Sequence, residues 1–164
     1  MANEQITDAL SALKTILGSL DPSPQPSPTA VYQFPADFDT EAERAAVDYT
    51  DLPLVVVLNQ VNVWNVWQPM THGTIFHTWP CDVLVFLAPE VVSIRQEAEA
   101  KAKYVPWLRA MQVLLFANQG LSGNALAIGN DNYLFRYRVG NIGWIDTKIF
   151  WGVRFQFPVV QEHS

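Results

Sequence analysis

The sequence predicts an α+β fold, a mainly antiparallel sheet with an N-terminal helix and a long kinked helix packed on one face. Three observations carry that expectation. The segment "DTKIFWGVRFQFPVV", residues 146–160, places Ile149, Trp151, Val153, Phe155, Phe157 and Val159 at alternate positions. Lys148, Gly152, Arg154 and Gln156 lie between them, giving the two-residue period of a half-buried strand. From about Glu90 the composition turns to helix formers, with Glu97 four residues before Lys101 and Glu99 four before Lys103. Finally, the order helix, short strand, long strands, helix, hairpin lacks the βαβ rhythm of a parallel sheet.

The elements follow in order. "ITDALSALKTILG" spaces Ile6, Leu10, Leu13 and Leu17 as one apolar face of a helix and stops at Gly18. "DPSPQPSPT", a Pro-rich spacer at about 21–29, is extended and stiff. "TAVYQF" reads as a short strand, and an acidic loop at about 36–51 follows as a solvated excursion. "LPLVVVLNQVNVW" opens with a β-branched run suited to a strand covered on both faces. The loop "NVWQPMTHG" leads to "TIFHTWPCDVLVFLAP", a second long strand that Pro80 is expected to bend or bulge. In the helical stretch Pro106 kinks or restarts the chain, and Trp107, Met111, Leu114 and Leu115 form the buried stripe. "YLFRYRV" puts Tyr133, Phe135, Tyr137 and Val139 on one face, and "GNIG" is expected to turn the chain into the closing strand.

Composition narrows the function classes. A chain of 164 residues that is 49% hydrophobic and 12% aromatic fits one folded domain over 1–164. No apolar run reaches membrane-spanning length, and "MANEQITDAL" lacks the features of a signal peptide, so a soluble protein made in a cytoplasm is expected. Cys81 is the single cysteine, which excludes an internal disulfide and paired-cysteine zinc sites. The net charge of −6 is uneven, at −7 up to residue 130 and +1 beyond. Tight duplex binding wants the opposite balance.

Catalytic constellations are weak. His77 lies four residues before Cys81, but on a strand such positions are too far apart for a nucleophile and its base, and buried Cys is a common apolar filler. His72, His77 and Asp82 follow no metal-ligand spacing. "GLSGNALAIGN" lacks the lysine of a phosphate loop and reads as a flexible loop, and the acidic stretch lacks the calcium-loop pattern. No catalytic residue, cofactor or metal is therefore expected.

Interface signals are stronger. Trp64 and Trp67 flank a polar loop with Pro69 and Met70, a composition favoured at interface centres. The other reading folds both rings back onto their own sheet. Arg136, Arg138, Lys148 and Arg154 form a basic strip on the non-core face of the hairpin. Asp37, Asp39, Glu41 and Glu43 in the acidic stretch supply opposite charge, so neighbouring copies arranged head to tail could pair the two.

Taken in order, "ALSALKTIL", "AVYQFP", "DLPLVVV", "DVLVFLAP", "YVPWLRAMQVLLFANQGLSG" and "IDTKIFWGVRFQFPVV" resemble the tail terminator proteins of long-tailed bacteriophages over almost the whole chain. The resemblance implies an α+β virion subunit, not an enzyme. It would form a homohexameric ring on the tail tube protein, end tail elongation and offer a surface to the head-side connector. DNA would pass through the lumen without specific binding. The Pro-rich stretch and the acidic insert are longer than a minimal member would need. Another neck or tail ring protein and a small aromatic-lined ligand-binding domain are the alternative readings.

Overall fold

The computed structural model describes residues 2–59, 65–69, 73–90, 97–129, 135–145 and 148–163. Its elements are α1 (Ala2–Leu17), β1 (Ala30–Gln33), α2 (Glu41–Ala45), β2 (Leu54–Asn59), β3 (Val66–Pro69), β4 (Ile75–Ala88), α3 (Glu97–Ala117), β5 (Ala127–Ile128), β6 (Arg136–Ile145) and β7 (Lys148–His163). The expected α+β class holds. One seven-stranded sheet runs β1-β2-β4-β7-β5, with β3 also on β4 and β6 also on β7. Apart from the parallel pair β1/β2, the strand pairs are antiparallel.

That parallel pair gives the acidic stretch a structural task. Parallel neighbours need a crossover connection, and residues 34–53 make it. The stretch is therefore not merely solvated. Its Phe38 and Val47 are buried against Leu54, Val56, Phe86 and Phe150 on one sheet face, while most of its carboxylates stay outside. The other face takes both long helices: Ile6, Leu10, Leu13 and Leu17 of α1, with Trp107, Met111 and Leu115 of α3, pack on Val55, Val57, Val83, Val153 and Phe157.

Prolines act differently from the sequence expectation. Pro80 lies directly opposite Pro158, and the register between β4 and β7 shifts between Phe86 and Ala88, not at Pro80. Opposed antiparallel residues exchange either two hydrogen bonds or none, so two residues without N–H groups must form a non-bonded pair. The missing donors then point outward, where each long strand changes its outer neighbour. On β4 the change is from β3, which ends opposite Thr78, to β2, which begins opposite Cys81. On β7 it is from β6, ending opposite Gln156, to β5 opposite Val159. Pro106 lies inside α3, which continues from Glu97 to Ala117 as one helix.

Three segments read as turn or loop are strand or turn. "GNIG" is not the hairpin turn but part of β6, where Gly140 pairs with Gly152. A Cβ on Gly152 would lie 1.8 Å from the Val85 carbonyl oxygen, so the glycine is required by close backbone approach. The described part of "GLSGNALAIGN", up to Gly129, is held by buried Leu121 and by β5. Val66–Pro69, read as loop, form β3, pairing Trp67 with His77. Among the described residues no helix is long and apolar enough to cross a membrane.

Candidate functional site: the sheet edges and their charged face

The strand period decides which side chains can meet. His77 and Cys81 share the helix-covered face of β4 and are both buried, but four strand residues separate them by roughly 13 Å. Burial, together with the neighbouring Asp82 carboxylate, pushes the Cys81 thiol well above its ordinary range, so it is held as the unreactive thiol. Asp82 is an odd number of residues from His77 and projects from the opposite face, which prevents the two from converging on a metal. Among the described residues no group of three His, Cys, Asp or Glu side chains is placed to hold a metal ion.

Trp67 satisfies parts of both readings made from the sequence. Its ring stacks on the buried His77 imidazole at 4.4 Å between centroids and 7° between planes, yet the residue remains 48% exposed beside exposed Val66. It covers its own sheet with one side and faces outward with the other. Trp64, Met70 and His72 lie outside the described residues.

The four basic residues divide by partner. Lys148 reaches the acidic crossover of its own chain, donating to the carbonyls of Ala45 at 2.6 Å and Val47 at 2.5 Å. Trp144 Nε1 donates to the Arg44 carbonyl at 2.7 Å, so the turn end of the β6–β7 hairpin satisfies carbonyls at the end of α2. Arg154 closes on Asp82, with Nε at 2.9 Å and Nη2 at 2.5 Å from Oδ2. Asp82 is 1% exposed, and its other oxygen accepts from Gln156 Nε2 at 3.0 Å. Gln156 Oε1 in turn accepts from Arg136 Nη2. Arg138, paired with Arg154 across the strands, is exposed.

The acidic residues are also partly engaged within the chain. Asp37 accepts from Lys14 Nζ and from the Gln33 N–H, both at 2.7 Å. Burial raises its carboxyl, but those two donors outweigh burial and leave it below its ordinary value. Glu43 accepts from the Asp39 N–H at 2.7 Å, while Thr40 caps the same short helix. Asp39 and Glu41 are exposed.

Sequence reasoning missed the Asp82–Arg154 pair. The signal was present as a carboxylate in an otherwise apolar strand, since a buried acid demands a partner. The partner's identity came only from the β4–β7 register, which sets Asp82 opposite Gln156 and Leu84 opposite Arg154. The structure also opens a groove of about 730 Å³ between α3 and the β5–β6–β7 side of the sheet, lined by Leu108, Met111, Phe116, Phe135 and Phe155. A scan against protein-family models and a search of curated proteins found no match for this chain.

Proposed function

We propose that this chain is a non-enzymatic phage virion protein, a tail terminator at the head-proximal end of the tail. Six copies form a ring on the tail tube protein, end tube growth and offer a surface to the head-side connector or neck protein. DNA passes through the hole unread, and a net charge of −6 favours passage over retention. The observation that carries the reading is the edge strand β3, whose Val66 and Trp67 are 55% and 48% exposed. Aromatic and branched side chains left at an edge suit burial against a neighbouring subunit. The same α+β style serves other neck and tail rings. The apolar groove beside α3 favours a second reading, a domain that binds a small hydrophobic ligand.

Native mass spectrometry and negative-stain imaging separate these readings. Rings, or rings formed on added tails, are expected; a persistent monomer that binds hydrophobic ligands would favour the second reading. Deleting the gene should leave unattached tails of abnormal length, whereas normal tails with leaking heads would assign a head-completion ring. Trp67→Ala should weaken assembly by about 2 kcal/mol per contact. An equal loss confined to the stability of the isolated subunit would make Trp67 a purely intramolecular anchor.

A further inference from the structure

We propose that the outer edge of β6 receives an extended acidic segment of another protein. The segment adds as an antiparallel strand, with carboxylates on one face and apolar side chains on the other.

The hydrogen-bond phase of the sheet identifies the groups on offer. Because Pro80 and Pro158 form a non-bonded pair, the even-numbered residues of β7 near them direct their main-chain groups away from β4. The Gly129 N–H donates to the Pro158 carbonyl and the Leu126 N–H to the Val160 carbonyl, each at 2.8 Å, as that phase requires. Arg136 and Arg138 lie opposite Gln156 and Arg154, so their main-chain groups turn inward to β7. Those of Tyr137 and Val139 therefore turn outward. Among the described residues no strand pairs with this edge.

A strand bonded to Tyr137 and Val139 sets its alternate residues opposite Arg136 and Arg138 in the closer, non-bonded pairs. The arginines lie in the C-terminal part of the chain, where the net charge changes from negative to positive. Arg136 is also organised from below. Buried Asp82 holds Arg154 and Gln156, and Gln156 accepts from Arg136. Depressions on both sides of Arg138 and Arg154 leave room for carboxylates. Charges that only discourage edge pairing need no such support.

The opposite face selects apolar groups. Tyr137 is 56% exposed there, and the groove between α3 and the sheet lies beside it. A free anion or a nucleic acid would satisfy the arginines but neither the outward main chain nor the groove. The alternation acidic, apolar, acidic, apolar satisfies all three, by strand addition to a sheet edge. The inference does not depend on ring formation.

The test uses the full chain, 15N-labelled, and a capped peptide Thr-Glu-Val-Glu-Val-Glu-Thr. Binding should slow amide exchange at Tyr137 and Val139 by about tenfold or more. Arg136→Glu/Arg138→Glu should weaken it by about tenfold or more, with Arg138→Gln as the milder variant if the double one unfolds. A lysine-for-glutamate peptide, or one N-methylated at alternate amides, should not bind. The proposal is overturned by unchanged affinity in the folded arginine variants, by binding of the N-methylated peptide, or by no protection at about 1 mM peptide. Full competition by inorganic phosphate would reduce the site to a simple anion patch. Protection that rises with protein concentration alone would make a second copy the occupant.

Discussion

The side-chain amide of Gln25 donates to the carbonyl of Ala102 at 3.0 Å, and Ala102 is the residue four before Pro106. Pro106 has no N–H, so that carbonyl lacks its helical donor, and a residue of the Pro-rich spacer supplies one in its place. This relationship lets α3 continue through a proline, and it ties the spacer to the helix.

Gln25→Ala should therefore cost about 1 kcal/mol in denaturant unfolding. In a Pro106→Ala background the helix provides its own donor, and the same substitution should cost about half as much or less. Equal costs in both backgrounds would show that Gln25 does not compensate for Pro106.

Gly152 leaves no room for a Cβ against β4. A Cβ there meets the Val85 carbonyl oxygen at 1.8 Å and its carbon at 2.9 Å, both backbone atoms that cannot rotate away. Gly152→Ala should destabilise the fold by about 3 kcal/mol or more. Gly143→Ala, whose Cβ meets nothing within 4 Å, is the matched control and should cost under about 1 kcal/mol.

The Asp82–Arg154 pair is asymmetric, since the acid's side chain is 2% exposed and the arginine's 36%. Arg154→Met strands a buried carboxylate and should cost about 3 kcal/mol. Asp82→Leu in the Arg154→Met background removes that charge and should recover part of the loss. A double variant worse than Arg154→Met alone would contradict this account.

Asp37 sets part of the acid limb of stability. Its folded carboxyl lies below the ordinary value of 3.8, so the unfolded chain binds its proton first as pH falls. Its contribution is fully present well above pH 3.8 and is lost as pH drops through the lower folded value. Asp37→Asn should flatten the fall in melting temperature below about pH 4 without altering its slope above about pH 6. An unchanged acid slope would place the acid sensitivity elsewhere.

The sequence was enough to read the α1 stripe at Ile6, Leu10, Leu13 and Leu17, the α3 stripe at Trp107, Met111 and Leu115 with Leu114 only half-buried, and the β7 alternation from Val153 to Val159, although Ile149 is exposed and Phe150 buried in its place. Those patterns are local, because the face a residue occupies depends only on its neighbours three, four or two positions away. Tertiary structure decided what each face met. The acidic stretch became a crossover because β1 and β2 lie parallel, and "GNIG" stayed in a strand because β6 pairs with β7 from Arg136 to Ile145. Lys148 acquired a partner 101 residues away, at Val47, and Arg154 one 72 residues away, at Asp82. Cross-strand register makes such contacts, and a one-residue slip would exchange every one of them. The buried Asp82 carboxylate needed a partner, and only the assembled sheet chose Arg154.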